Sequence, residues 1–492
     1  MSSLLIYFIG ICVLLVIATN ASDTSNDRAK RSIKNWEAEV RLNISRGAGA
    51  RESDTPRMSF DNPTLLPVDW KESWKKLGSP QNHFDANETR KWKQFFFYNL
   101  DNYVEGSELN FLMMGGEGPI YESQSRTSLL WGQSTCQRHQ LENLKFLTIE
   151  QALADAAIFI QSINKKHNFT NPTWIVFGGS YPGSLSAWLR LKFPELVAGA
   201  VASSAPVELK VDYFEYYQTA QNAINAYGPK GCEDDLKRYY GQAEKLIKTP
   251  EGRRTLGICD NGKEFTEKEV NYFIESHISH WGWDVQADNL YHGKIASSCK
   301  AAVRVADWLD SQVLIKEDSS SNVTQDACWF LWEYKDSVKQ YQDLYAITWY
   351  RPWTWQICTE MGFFQTTSWE GSVFGNLLPI EYVYSSVLHD RCADVFGPEI
   401  NKANLDANLA NLLEIYGGAH NYNATNVIFI NGSEDPWHPA GLYEPPNESV
   451  KSIKIEGTSH CRDMHSPSYL DPPALKQARE EIKAEIAKWL NK

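Results

Sequence analysis

Trp174-Ile175-Val176-Phe177-Gly178-Gly179-Ser180-Tyr181-Pro182-Gly183 is an apolar β-type run that breaks at glycines and presents one serine; through Ser184-Leu185-Ser186-Ala187-Trp188-Leu189 it continues as a helix. A serine hydroxyl is a poor nucleophile unless a sharp strand-to-helix turn holds it where the next amide N–H and the helix N-terminus can stabilise the oxyanion it generates. Gly178 leaves room behind such an elbow. Pro182 and Gly183 fall in the first helical turn, where proline's missing N–H costs nothing. The pattern departs from a strict G-x-S-x-G, because Pro182 takes the second small position and Gly183 comes one residue later. Taken alone, Gly-Gly-Ser is also what an ordinary turn looks like.

An activated serine needs a base, and the base needs an acid to orient it, so Asp and His should follow in that order at strand ends. Asn426-Val427-Ile428-Phe429-Ile430 reads as a buried strand ending in Asn431-Gly432-Ser433-Glu434-Asp435-Pro436-Trp437. Val450-Lys451-Ser452-Ile453-Lys454-Ile455 alternates as a strand and ends in Glu456-Gly457-Thr458-Ser459-His460. A final helix opens at Pro472 and Pro473 and presents Leu475, Ala478, Ile482, Ile486 and Trp489 at helical spacing. Ser180, Asp435 and His460 are therefore candidate nucleophile, acid and base in the α/β-hydrolase order. His460-Cys461-Arg462-Asp463-Met464-His465 could instead suggest a metal cluster, but neither a helical i, i+4 histidine pair nor Cys-x-x-Cys accompanies it. No metal and no cofactor is expected.

Beyond these stretches, Gly115-Gly116-Glu117-Gly118-Pro119 follows a strand from Leu109 to Met114, and Trp355-Gln356-Ile357-Cys358-Thr359-Glu360-Met361-Gly362-Phe363-Phe364-Gln365-Thr366 lies farther along. With the elbow, Asn431-Gly432, Asp435-Pro436-Trp437, Ser459-His460-Cys461 and Asp463-Met464, these motifs resemble the prolylcarboxypeptidase family of serine peptidases. The resemblance runs from about Gln81-Asn82-His83-Phe84-Asp85 almost to the C-terminus. Cys461 and the Gly-Gly-Glu-Gly form look nearest the thymus-specific branch. The resemblance implies an α/β-hydrolase fold with an inserted helical cap. It implies a serine exopeptidase of carboxypeptidase or dipeptidyl-peptidase type acting on short peptides, with proline preference in doubt because proline-specific members carry methionine where this chain has Ser184. Ser180 would attack the scissile carbonyl, His460 would take and return the proton, and Asp435 would fix the imidazole tautomer. The amides of Tyr181 and Gly116 would form the oxyanion hole. Glu117 would anchor a substrate amine or a cap residue, Trp437 would wall the pocket for the residue before the cleaved bond, and Trp355 and Phe363 would border it.

Composition suits a large enzyme: 492 residues at 42% hydrophobic and 22% charged can bury a sizeable core. A net charge of −13 argues against a nucleic-acid partner. Residues 1–21 read as a signal peptide, with the apolar run Leu4 to Ile17 followed by small residues at Ala18 and Ala21; the rival is an uncleaved anchor, since no basic segment precedes the run. After signal cleavage no membrane contact is expected, and a homodimer is allowed. Residues 22–60 form a spacer, 61–206 and 398–492 the two parts of the hydrolase domain, and 207–397 an aromatic-rich helical cap. Eight cysteines remain after Cys12, none in a tight zinc-type pair, so disulfides are the economical assignment, with six of them stapling the cap. A bridge from Cys136 to Cys461 would restrain the histidine loop. Sequons at Asn43, Asn87, Asn168, Asn322, Asn423 and Asn447 fit a secreted or lysosomal route, whereas Asn431 lies too near Asp435 to carry a glycan.

One interval is too short. Between Gly118 and the capping box Thr148-Ile149-Glu150-Gln151 only about thirty residues remain, where the fold requires a helix, a whole strand and a crossover. Family members carry there a strand of which only Trp131-Gly132-Gln133-Ser134 resembles the tail. Either the fold tolerates a gap beside its central strands, or the chain is folding-impaired, with the flanking strands pairing directly or leaving open edges. Two other classes stay open: a lipase or esterase on the same fold, and a catalytically inactive, glycosylated binding protein.

Overall fold

The computed structural model describes residues 14–18, 74–99, 106–117, 131–132, 141–256, 258, 266–288, 293–317, 334–344 and 350–491. Nine strands form one sheet: β1 (Leu14–Ala18), β2 (Trp74–Pro80), β3 (Lys91–Asn99), β4 (Leu109–Met113), β5 (Trp131–Gly132), β6 (Thr173–Gly179), β7 (Gly199–Ser203), β10 (Val427–Gly432) and β11 (Val450–Ile455). Their order is β11-β10-β7-β6-β4-β1-β3-β2, with β5 on β3. From β4 through β11 every neighbour is parallel, so the carboxyl ends of β4, β6, β10 and β11 share one edge, where open α/β sheets place their ligands. This is an α/β-hydrolase fold.

The parallel strands are buried on both faces, and alternate residues sort to opposite sides. Trp174, Val176, Ala200, Ala202, Val427 and Phe429 face the main core, together with α1 (Ile149–His167) and α2 (Tyr181–Lys192). Ile175, Val201, Ile428, Ile430 and Ile455 face a second core closed by the C-terminal helix, Pro473–Leu490. That helix buries Leu475, Ala478, Ile486 and Trp489 as its periodicity predicts, with Ile482 partly buried against them. The fit is close: a Cβ on Gly199 would lie 2.2 Å from the Trp489 ring. Thr148 caps α1 by accepting from the Gln151 amide at 3.2 Å, but the reciprocal half of the expected box is absent. The Gln151 side chain instead donates to Asn82 and accepts from the His83 amide, tying α1 to the turn after β2.

Between β7 and β10 the chain builds the cap. Its described helices include α3 (Glu215–Tyr227), α4 (Cys232–Leu246), α5 (Glu267–Gln286) and α6 (Gly293–Glu317), and a two-stranded sheet joins β8 (Lys210–Asp212) to β9 (Gly362–Phe364). Disulfides Cys232–Cys299 and Cys358–Cys392 staple it. Cys136, Cys259 and Cys328 and the sequons at Asn43 and Asn322 lie outside the described residues. Cys461 is a buried free thiol, so the expected bridge from it to Cys136 is not present. Asn87, Asn168 and Asn423 are exposed, Asn447 gives its amide to the Ala424 carbonyl, and Asn431 is buried, which leaves no room for a glycan there. No described helix is long and apolar enough to cross a membrane.

The short interval is resolved differently from expectation. The strands flanking the gap neither pair with each other nor stay open, because β1 lies between them, parallel to β3 and antiparallel to β4. The register sets Val16 opposite Phe111 and Ala18 opposite Leu109. The segment read as a leader thus occupies the empty slot, since an edge strand's free N–H and C=O groups accept any extended apolar segment. As a result β4 keeps its place beside β6, with Met113 opposite Phe177, and the loop after it is not displaced toward the elbow.

Candidate active site

Ser180 sits where β6 gives way to α2, at φ 64° and ψ −137°, a conformation that side chains rarely adopt and that marks a strained elbow. Its own amide donates to the Ser203 carbonyl at the end of β7. The glycines explain why the turn closes. A Cβ on Gly178 would lie 2.0 Å from the Pro182 carbonyl oxygen, and one on Gly183 would lie 2.6 Å from the Ser203 carbonyl oxygen. The small residue one place later than the usual pattern is therefore the one at which α2 touches β7. The Tyr181 N–H, at the first turn of α2, has no acceptor within the helix. Gly115 and Gly116 are buried and directly follow β4, whose end is fixed by the Met114 amide donating to the Phe177 carbonyl.

Asp435 follows β10 and is fully buried, while His460 follows β11. His460 Nδ1 is 2.8 Å from Asp435 Oδ1 and 2.9 Å from Oδ2, and the Trp437 amide donates to Oδ1 at 3.0 Å. Nε2 of His460 is buried and makes no hydrogen bond among the described residues, leaving it free to exchange a proton with a neighbour. Burial disfavours the imidazolium, but the Asp435 charge and its hydrogen bond to Nδ1, with Cys461 alongside, outweigh it and raise the His460 pKa well above its usual value. The histidine loop and the elbow are in contact: a Cβ on Gly179 would lie 2.6 Å from Met464 Sδ and 2.9 Å from Cys461 Sγ. Cys461 itself has φ 52° and donates its amide to Ser204 Oγ, and Ser204 has φ 45°. Three non-glycine residues with positive φ thus cluster at neighbouring strand ends, as strained functional loops do.

Glu117, at the end of the Gly115-Gly116 loop, has its Oε2 sequestered without a partner among the described residues. Desolvation raises its pKa to about 7, offset in part by its own backbone N–H and by His460. Trp437 is enclosed by Tyr213, stacked at 5.4 Å, and by Tyr216 and Phe363 at 5.3 and 5.4 Å, both edge-on. Phe363 reaches it from a backbone at φ 57° after Gly362 at φ 70°. Trp355 lies elsewhere, against Phe396 inside the cap. From the same motif Trp353 packs on Tyr181 at 5.7 Å and Gln356 donates to the Tyr181 hydroxyl at 2.9 Å. Ser184 is fully buried with its hydroxyl on the Pro206 carbonyl. Nothing in the sequence marks Tyr213, Tyr216, Trp353 and Gln356 as site residues, because an aromatic-rich insertion does not tell core rings from site rings. Among the described residues no three His, Cys, Asp or Glu side chains are grouped to hold a metal ion.

An elbow serine, a first-turn amide at Tyr181 and an acid–imidazole pair whose Nε2 has no partner among the described residues can support acyl transfer. A Caenorhabditis elegans relative is 32% identical over 92% of this chain and 87% of its own length. The thymus-specific serine protease of Mus musculus is 26% identical over 85% of this chain and 87% of its own. The lysosomal Pro-X carboxypeptidase of Homo sapiens is 24% identical over 87% and 90%. Residues 79–482, which carry the elbow, the Asp435 turn and the His460 loop, match the family described as Serine carboxypeptidase S28, and the chain belongs to that family of serine peptidases.

Proposed function

We propose that this peptidase is a secreted or lysosomal exopeptidase of short peptides in which Ser180, His460 and Asp435 act as a triad. The observation that carries this reading is the buried Asp435–His460 pair, at 2.8 and 2.9 Å, whose Nε2 has no partner among the described residues and whose loop meets the elbow at Gly179. Nε2 accepts the Ser180 proton as Oγ attacks the carbonyl carbon, and returns it to the leaving amine; Asp435 holds the proton on Nδ1 throughout. The Tyr181 and Gly116 amides stabilise the oxyanion. Trp437, with Phe363 behind it, walls the pocket for the residue preceding the cleaved bond, and the unpartnered Glu117 oxygen accepts a substrate amine, which favours a dipeptidyl-peptidase mode over a carboxypeptidase mode. The signal-like leader, the disulfides and the exposed sequons support the exported compartment.

The experiment is fluorophosphonate labelling of the secreted protein, followed by assay of peptides blocked at either end. Ser180→Ala should abolish labelling and turnover without changing secretion or thermal stability. Adding Asp435→Ala and His460→Ala should cost little more, because such residues act as a unit. Retention of more than about a thousandth of wild-type turnover in Ser180→Ala would refute the assignment, since removing a triad member costs more than that.

A further inference from the structure

The cap does more than cover the catalytic edge: one helix end grips both loops that carry the acid and the histidine. Gln286 is the last residue of α5. Its Oε1 accepts from Trp437 Nε1 at 3.0 Å and from the Tyr216 hydroxyl at 2.8 Å. Trp437 stands two residues after Asp435 and shares that carboxylate through its amide. On the other side, the Ser459 hydroxyl lies 2.6 Å from the Val285 carbonyl oxygen and 3.0 Å from that of Gln286. Ser459 directly precedes His460. A helix's last carbonyls lack i+4 donors; Val285 also accepts from the Asp288 amide at 3.1 Å, and the Ser459 hydroxyl adds a donor from the histidine loop to this helix end. The approach of α5 is close as well, since a Cβ on Gly282 would lie 2.1 Å from the Tyr216 ring.

From this juxtaposition, and resting on the triad reading above, we infer that the C-terminal end of α5 is a latch. Gln286 is a positioning residue that sets the rotation of Trp437, and the Ser459 contact sets the height of the His460 loop. The two halves act on different parameters. The Trp437 indole has its faces and edge held by Tyr213, Tyr216 and Phe363, but those apolar contacts tolerate rotation of the ring in its plane. The hydrogen bond of its Nε1 to Gln286 is directional. Loss of the acceptor therefore loosens the pocket wall and leaves Ser180 chemistry intact, whereas loss of the Ser459 hydroxyl frees the histidine and slows every reaction at Ser180.

The test compares Gln286→Leu, Gln286→Glu, Gln286→Met and Ser459→Ala in the full chain. Gln286→Leu strands two partly buried donors and should raise KM about tenfold with kcat within about twofold of wild type. Its fluorophosphonate labelling rate should not change. Gln286→Glu retains the acceptor and should restore KM to within about threefold. Ser459→Ala should lower kcat and the labelling rate together while leaving KM in place. Hydrogen exchange of residues 433–440 should quicken in Gln286→Leu, and that of residues 457–462 in Ser459→Ala. If Gln286→Leu fails to accumulate, Gln286→Met, which keeps the side-chain length and removes the acceptor, must show the same rise in KM. Wild-type KM in a folded Gln286→Leu protein, or kcat and labelling falling in proportion to the folded fraction with KM unchanged, overturns the latch. A wild-type protein that does not label at Ser180 sinks the peptidase reading instead, and the exchange measurements still decide for or against the latch.

Discussion

Replacing Asp435 by Asn tests the acid's role without altering the shape of the site. The carboxylate is fully buried, and its Oδ1 serves both the Trp437 amide at 3.0 Å and His460 Nδ1 at 2.8 Å, while Oδ2 faces only Nδ1, at 2.9 Å. In Asp435→Asn the carbonyl oxygen stays with the Trp437 amide, because a buried N–H must keep its acceptor. The new NH2 then takes the place of Oδ2. An N–H cannot face an N–H, so the imidazole moves its proton to Nε2 and presents a donor where the Ser180 proton has to be accepted. Loss of the correct tautomer costs about ten-thousand-fold in rate where such a triad operates. At about 1.36 kcal/mol per decade this is about 5.5 kcal/mol of transition-state stabilisation. With the Asp435 charge gone, the raised His460 pKa falls, so the acid limb of kcat/KM moves to lower pH. The assay is kcat/KM from pH 4 to 9 on an unblocked peptide, with fluorophosphonate labelling and a thermal melt alongside. A variant that keeps more than about a tenth of wild-type kcat/KM with an unmoved acid limb would refute the reasoning, since a triad acid is worth far more than that.

Gly178→Ala should abolish the elbow, because its Cβ would fall 2.0 Å from the Pro182 carbonyl oxygen; Gly78→Ala, with nothing within 4 Å, is the control, and normal labelling of the first would contradict the packing. Glu117→Gln should raise KM for peptides with a free amine and spare amine-blocked ones; since burial holds the carboxyl at about 7, the wild-type preference should grow as pH rises through that value and vanish below it. A pH-independent preference would remove Glu117 from that role. Asp463, which accepts from Ser203 Oγ, is raised to about 6 by desolvation against an unfolded value near 4, so its contribution to stability is present at acid pH and lost as pH rises through about 6. Asp463→Asn should flatten the fall in melting temperature between about pH 4 and 7, and an unchanged slope would show that another group is responsible. Finally, leader removal after Ala18 or Ala21 would take β1 out of the sheet and bare the facing edges of β3 and β4. In one eukaryotic host this chain should be secreted and labelled less than a version with a family-type strand restored between Gly118 and Thr148; equal yield and labelling would show that the short chain folds without it.

The fold class, the order of the three candidate catalytic residues, the C-terminal helix and the existence of a stapled cap are legible in the sequence alone. Each is written in local terms: an apolar run broken by glycines at Ser180, strands ending at Asp435 and His460, a 3.6-residue period from Leu475 to Trp489. Tertiary structure decided what depends on approach between distant segments. Why Gly183 rather than residue 182 is the second small position follows from the nearness of β7, which no local pattern encodes. That Phe363 meets Trp437 while Trp355 turns to Phe396 follows from the positive φ at Gly362 and Phe363 and the pairing of β8 with β9. Cys461 remains a free thiol because its environment is the elbow, where Gly179 leaves it space. The filling of the sheet's gap by Leu14–Ala18 was equally invisible, because strand pairing is satisfied by any extended segment that can reach an open edge. Hydrogen bonds and close packing are pairwise and long-range, so the contacts that orient a site emerge only when the chain is folded.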